Sequence, residues 1–316
     1  MIDVSIIIVS WNVKALLSRC FASIIESPVA INQADGGYPV VEMIVVDSAS
    51  DDETVAHIQA HYPQVKLLPQ HENVGFTRGN NIGFESAHGR YLFMLNPDTE
   101  IIGDAIAQMV AYLDAHPDVG IVGPHTLNTD HSTQSSRRRF PTKAIAFFES
   151  TWLQPLAPRA MMTHFYIDDQ PDNALLDVDW MQGSALMTRR EIYQSVGGLD
   201  EGYIMYSEEL DWCKRIKDAG WRAIYLGTEQ IVHHGGKSTD QIGAQKHVWF
   251  QQSKLRYFRK HHGMLFAMIL RLFLLFGYVW QLVIEALKGV IGHKRSLRQE
   301  RVQIYWQVLR SGLKVS

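Results

Sequence analysis

Val4-Ser5-Ile6-Ile7-Ile8-Val9-Ser10 is a run rich in β-branched residues, the pattern of a strand buried on both faces. Working outward, Val13 to Ser27 has helical spacing, with Leu16, Leu17, Cys20, Phe21 and Ile24 on one side. Val41–Val46 and Val65–Leu68 read as further buried strands, and a helix capped from Ser50, Asp51 or Asp52 runs through His57 between them. Asn32 to Pro39, with Gly36-Gly37, is a loop. A helix over Phe76–Ala87, a strand at Tyr91–Leu95, a helix over Asp104–His116 and a strand at Val119–Val122 continue the rhythm. Strands alternating with helices predict an α/β fold: a Rossmann-like, mainly parallel sheet with helices on both faces. Ligands in such folds bind beyond the carboxyl ends of the strands.

The order loosens over residues 124–177, which read as an inserted loop or subdomain with the basic run Arg137-Arg138-Arg139. Regular signals return with a strand at Val178–Trp180, helices over Thr188–Ser195 and Glu208–Ala219, and a last strand at Trp221–Tyr225.

The 316 residues carry a net charge of -3, and 46% of them are hydrophobic, enough apolar chain for a real core. The charge is unevenly spread. From Arg256 onward, 11 of the 30 Lys and Arg residues meet only Glu285 and Glu300 of the 33 acids, so a body of -12 carries a tail of +9. Phosphates repel such a body, which argues against nucleic acid as a partner. Cys20 and Cys213 form no CxxC pair, so neither a disulfide framework nor a zinc ribbon is expected. The start, Met1-Ile2-Asp3, shows no basic secretory n-region.

Four strand-end segments can carry chemistry. Asp47 and Ser48 end the second strand and can accept hydrogen bonds from a base or ribose, or cap a helix. No G-x-G-x-x-G follows the first strand, which disfavours a nicotinamide site. Asn96-Pro97-Asp98 follows the fourth strand and offers a carboxylate on a tight turn to a hard divalent cation, or to a helix cap. Glu208, Glu209 and Asp211 open a helix, where they complement its dipole or supply a general base. His233-His234 precede glycines and can reach a metal or phosphate.

In their order these segments resemble the inverting GT-A glycosyltransferases of family 2, within it the bacterial rhamnosyltransferase-like branch. The resemblance rests on VSIIIVSWN at 4–12, VVDSASDD at 45–52, ENVGFTRGNNIGF at 72–84 and LNPDTE at 95–100. It continues through RRRFPT at 137–142, VDWMQGSALMTRR at 178–190, the block at 197–221 and VHHGGKST at 232–239. It implies a nucleotide-diphosphate sugar donor held by Ser10, Trp11, Asn12 and Asp47, with Asn73, Gly75, Phe76, Arg78, Gly79 and Asn80 lining the nucleotide and diphosphate pocket. The family's D-x-D motif is here Asn96-Pro97-Asp98, so Asp98 is the certain carboxylate for Mg²⁺ or Mn²⁺, and His233 matches the histidine that completes the site. Glu209 matches the catalytic base, one methylene longer than the usual Asp, with Glu208 or Asp211 able to take the role under another helix phase. Trp180, Gly183 and Ser184 fall on the acceptor side, and Arg215 pairs with the acids. The implied reaction moves a sugar, rhamnose from dTDP-rhamnose first among the options, onto a glycan or polyprenyl-diphosphate-linked acceptor in cell-surface glycan synthesis. A UDP-hexose or UDP-N-acetylhexosamine transferase of the same fold is the alternative, and a silent scaffold subunit a more distant one.

The domain expectation is a catalytic body at 1–245 and a helical basic tail at 246–316. Met264 to Ile284 is long enough to cross a bilayer, at ~1.5 Å per residue. Arg271 near its centre would cost ~2.5–3.5 kcal/mol, however. Arg271, Tyr278, Gln281, Glu285 and Lys288 fall on one narrow polar stripe. Such a stripe suits a helix lying in the interface, and the basic residues suit an anionic leaflet. The expectation is peripheral attachment to the cytoplasmic face of the inner membrane; a membrane span and a helical oligomer interface are the alternatives. The three arginines at 137–139 either meet a lipid diphosphate or lie in a solvated loop.

Overall fold

The computed structural model describes residues 1–32, 38–235, 245–290 and 295–314. The Gly36-Gly37 turn, residues 236–239 of the last sequence block and Lys294 lie outside the described residues. Contacts divide the chain into two units. The first holds residues 1–140, 166–201 and 208–238, and the second residues 141–165, 202–207 and 239–316.

The first unit begins with β1 (Val4–Ser10), α1 (Lys14–Glu26), β2 (Ala30–Ile31), β3 (Val40–Asp47), α2 (Thr54–His61), β4 (Val65–Pro69) and α3 (Gly75–Ser86). It continues through β5 (Tyr91–Leu95), β6 (Thr99–Ile101), α4 (Ala105–Ala115), β7 (Val119–Leu127) and β8 (Arg137–Arg138). The second unit contributes α5 (Lys143–Phe148), and α6 (Arg159–Tyr166) leads back to the first. The first unit closes with β9 (Leu175–Val178), β10 (Trp180–Met181), β11 (Ala185–Arg189), α7 (Arg190–Val196), α8 (Glu208–Asp218) and β12 (Arg222–His233).

The sheet runs β2-β3-β1-β5-β11-β7-β12-β6, with β4 also on β3 and β9 also on β12. The strands β1, β3, β4 and β5 are parallel. Alternation along each strand feeds two cores. Val4, Ile6 and Ile8 pack with Phe21 of α1 and Met109 of α4 on one face. Ile7 packs with Phe84 of α3 and Trp212 of α8 on the other. Helices on both faces thus explain why the strands read as continuous apolar runs.

Two expectations change. Thr188 and Arg189 end a strand rather than start a helix: β11 inserts antiparallel between β5 and β7. Ala185-Leu186-Met187 favour a helix by propensity, but pairing on both edges overrides that weak preference. The last strand does not stop at Tyr225. It breaks register between Leu226 and Gln230, then continues to His233 against β6. Helix α3 lies tight on β1, because a Cβ on Gly79 or Gly83 would sit 2.7 Å from Val9 Cγ1 or 2.3 Å from Ile7 Cγ2.

The second unit carries α9 (Gln245–His262), α10 (Met264–Val290) and α11 (Arg295–Ser311). α10 and α11 form an antiparallel hairpin stitched at seven-residue steps. Arg271 Nε donates to Gly312 O at 2.8 Å, the Tyr278 and Tyr305 rings meet at 5.7 Å, and Glu285 pairs with Arg298 at 2.5 Å. The hydroxyl of Tyr278 also accepts from Gln251 of α9 at 3.2 Å. The polar stripe expected to face headgroups is therefore turned largely inward. The exposed face of α10 is apolar instead, with Leu265, Leu272, Phe276, Val279, Val283 and Leu287 in an open row.

Candidate active site

The carboxyl ends of β1 and β3 are in register, Ser10 opposite Asp47. Asp47 is fully buried and accepts from the Ser50 amide at 2.9 Å and from the Ser50 hydroxyl at 2.7 Å. Ser50 Oγ in turn accepts from the Asn12 amide, and Asn12 Oδ1 accepts from the Asp51 amide. This lattice holds Asn12 at φ +52, a left-handed geometry that Asn tolerates. Beside it the hydroxyls of Ser10 and Ser48 are buried without a hydrogen-bond partner. On α3, Thr77 Oγ1 and Asn80 Oδ1 are in the same state. Buried polar atoms are normally paired, so this cluster at the binding end of the sheet is a place where a polar ligand can supply the partners. Asn73 accepts from the Gly75 amide, and Arg78 is exposed, 3.7 Å from Glu72. Trp11 and Phe76 are half-buried. Gly79 packs closely against Val9 of β1.

The turn after β5 presents Asn96 and Asp98. Antiparallel pairing of β6 with β12 sets His233 opposite Thr99, and the His234 amide donates to Asp98 O at 2.9 Å. This brings His233 Nε2 to 3.3 Å from both Asp98 Oδ1 and Asn96 Nδ2, while Asn96 Oδ1 is buried and unpaired. Among the described residues, no three His, Cys, Asp or Glu side chains gather as a metal cage. Asp98, His233 and Asn96 are the carboxylate, imidazole and amide that a divalent ion could use here. His234 is drawn elsewhere: its Nε2 meets Glu100, which also pairs with Arg19.

Glu208 and Glu209 start α8. Glu209 Oε1 accepts from the Gly183 amide at 3.3 Å, and its Oε2 is buried without a partner. A Cβ at Gly183 would make only ordinary contact with Glu209, 3.7 Å from its Cδ. The next residue, Ser184, accepts the Asn96 amide on its carbonyl at 2.9 Å. Two consecutive residues thus tie the Asn96–Asp98 turn to Glu209. Burial raises the pKa of Glu209, opposed by its hydrogen bonds to backbone amides. Burial, and then the charge of Glu209, raises Glu208 well above the usual carboxylate range. Asp211 is fully buried against Arg215 Nε at 2.8 Å, and Arg215 also donates to Val196 O and Gly198 O. It serves a structural ion pair, as expected for Arg215.

The basic run is neither a solvated loop nor a free phosphate clamp. Arg137 and Arg138 are buried; Arg137 donates to Gln170 O and pairs with Asp172, and Arg138 covers the Tyr166 ring. Arg139 donates to Asp177 O, and its own carbonyl accepts from Trp180 Nε1 at 2.9 Å.

The family model for glycosyl transferase family 2 matches residues 5–197. The chain belongs to that family. The family 2 chain is 28% identical over 234 residues to the N-acetylglucosaminyl-diphospho-decaprenol L-rhamnosyltransferase of Mycobacterium tuberculosis, covering 71% of this chain and 76% of that one. It is 25% identical to rhamnosyltransferase WbbL of Escherichia coli, covering 68% and 81%. Among solved structures it is similar in fold to GalNAc-T7 with UDP, GalNAc and Mn²⁺, with TM-score 0.54 and 17% identity. That match covers 74% of this chain and 43% of GalNAc-T7.

Gln134 escaped the reading from sequence. Its Oε1 lies 2.7 Å from His233 Nδ1. No local pattern marks it, because the contact spans 99 positions.

Proposed function

We propose that this glycosyltransferase moves a sugar, with rhamnose from dTDP-rhamnose as the leading donor, onto a polyprenyl-diphosphate-linked acceptor in one inverting displacement. The observation that carries the proposal is Glu209: one oxygen is fixed by Gly183 N–H and the other is buried with no partner. Burial raises the pKa of both carboxyls; the charge of Glu209 raises Glu208 further, and backbone N–H groups oppose the rise at Glu209. Glu209 Oε2 accepts the proton of the acceptor hydroxyl, with Trp180, Gly183 and Ser184 on the acceptor side. Ser10, Trp11, Asn12 and Asp47 hold base and ribose, and Asn73, Gly75, Phe76, Arg78 and Asn80 flank the diphosphate. Asp98, His233 and Asn96 would hold Mg²⁺ or Mn²⁺, which as a Lewis acid stabilises the departing diphosphate. The rhamnosyl donor and lipid-linked acceptor are supported by the names of the two rhamnosyltransferase relatives.

Catalysis is assigned to residues 1–245 and attachment to the cytoplasmic membrane surface to 246–316. At ~1.5 Å per residue α10 reaches ~40 Å, enough to span. Its hairpin partner α11 exposes Gln299, Glu300, Arg301, Gln303, Gln307 and Arg310, which hydrocarbon does not accept. A hairpin with one apolar face and one charged face suits the membrane surface.

The test is a panel of nucleotide sugars offered with polyprenyl-diphosphate N-acetylglucosamine, with and without Mn²⁺, followed by mass spectrometry of the lipid product. A deoxyhexose increment from dTDP-rhamnose supports the proposal; transfer from UDP-sugars alone refutes the donor, and no transfer from any donor refutes the activity. Carbonate extraction tests the attachment: release supports the surface hairpin, and retention in the pellet refutes it.

A further inference from the structure

We infer that residues 128–134 lock His233 in the tautomer that carries its proton on Nδ1 and turns the Nε2 lone pair toward Asp98 and Asn96. Its use in metal binding rests on the metal reading above; the lock itself does not. Four contacts fix the donors and acceptors in turn. The Asp130 carboxylate only accepts, so the Ser132 hydroxyl, 2.5 Å away, donates to it. With its one proton committed, Ser132 Oγ can only accept from Asn128, which must present its Nδ2 at 3.0 Å. Asn128 Oδ1 then faces the other way and accepts from Gln134 Nε2 at 3.0 Å. Gln134 is thereby fixed with its oxygen toward the histidine, and an amide oxygen has no proton to give. The 2.7 Å contact therefore requires Nδ1 to be the donor.

Backbone bonds hold the relay in place. The Asn128 amide donates to Ser132 O and the Gln134 amide to Thr126 O, and Leu127 bridges to Thr133. The consequence appears on the far side of the ring. In the neutral ring Nε2 is then the bare nitrogen, facing Asp98 Oδ1 and Asn96 Nδ2 at 3.3 Å each, where a cation can take its lone pair. A hydrogen bond to the outer nitrogen is the usual way in which a metal-binding histidine is oriented and its ligating nitrogen made more basic. Gln134 is a positioning residue, acting through His233.

The experiment uses the full chain labelled with ¹⁵N-histidine. Two-bond ¹H–¹⁵N correlations read the tautomer without metal, and the His233 signals are assigned by their loss in His233→Ala. Wild type is expected to show protonated Nδ1 and bare Nε2. Gln134→Leu is expected to lose that single pattern, and Gln134→Glu, which still accepts, to keep it. Asn128→Leu, which frees Gln134 to turn over, is expected to give a mixture. In a parallel titration with MnCl₂ alone, read by electron paramagnetic resonance, Gln134→Leu is expected to weaken binding about 10–100-fold and Gln134→Glu to restore it. A wild-type tautomer pattern in Gln134→Leu would overturn the inference. Undiminished Mn²⁺ binding by His233→Ala would instead overturn the metal reading, and the two failures are separate.

Discussion

Replacing Glu209 by Gln isolates proton transfer from geometry. The Gln side chain keeps an oxygen for the Gly183 amide, which Glu209 Oε1 accepts at 3.3 Å, and it keeps the volume beside Gly183. What it loses is the ability of the unpartnered Oε2 to take a proton. A positioned general base contributes about 10²–10⁴-fold, which at 1.36 kcal/mol per tenfold is about 3–5 kcal/mol of barrier. Turnover should fall by that factor while the KM for donor stays within about threefold. The assay is nucleotide diphosphate release in the presence of acceptor, with donor affinity measured separately by calorimetry. Glu209→Asp shortens the reach by about 1.5 Å and should fall between the two. In wild type, the raised pKa of Glu209 places the acid limb of kcat/KM above the usual carboxylate range, and that limb should vanish in Glu209→Gln. Glu209→Gln within tenfold of wild type, with Glu208→Gln inactive instead, would refute the assignment and move the base by one residue.

Glu208 has a raised folded-state pKa, so its contribution to stability is full below the unfolded value and lost as pH rises through the folded one. Glu208→Gln should therefore gain in Tm relative to wild type between pH 5 and pH 8; a constant offset in thermal melts would count against the burial argument. Gly83→Ala places a Cβ 2.3 Å from Ile7 Cγ2, and overpacking costs about 1–3 kcal/mol against about 1 kcal/mol gained in helix propensity. A net loss of up to about 2 kcal/mol is expected in urea unfolding, and a stabilised variant would show that α3 can lift off β1. Glu285→Ala strands Arg298 in the α10–α11 seam; breaking such a buried pair costs about 3–5 kcal/mol. Trypsin should then release α11 faster, and an unchanged cleavage rate would show that the pair does not hold the hairpin.

Local pattern carried β1, β3, β4, β5 and β7 and the helices between them, but not the short strands β2, β6 and β8. Val4–Ser10 and Val40–Asp47 are buried on both faces, and such strands have no polar side to blur their reading. Tyr91–Leu95 emerged with the limits read from the chain. β11 did not, because Ala185–Arg189 is a strand only by virtue of β5 and β7 on either side. The extension of β12 to His233 depends in the same way on β6.

The site divides along the same line. Asp47, Asp98, Glu209 and His233 were legible because each follows a strand or opens a helix in an ordered series of family blocks. Their partners were not. Gly183–Ser184 joining Glu209 to the Asn96 turn, Gln134 behind His233 and Asp172 holding Arg137 are all contacts across tens of residues. So is the inward turn of the α10 polar stripe, which depends on a second helix meeting it at Gly312, Tyr305 and Arg298. The order of elements, the family and the candidate acid, base and metal residues are written in local pattern, since backbone preference and side-chain chemistry act over a few positions. What His233 Nδ1 meets, which backbone amide holds Glu209 and which face of α10 is bare were decided by tertiary structure, since each depends on a hydrogen bond or a packing contact made by residues far apart in the chain.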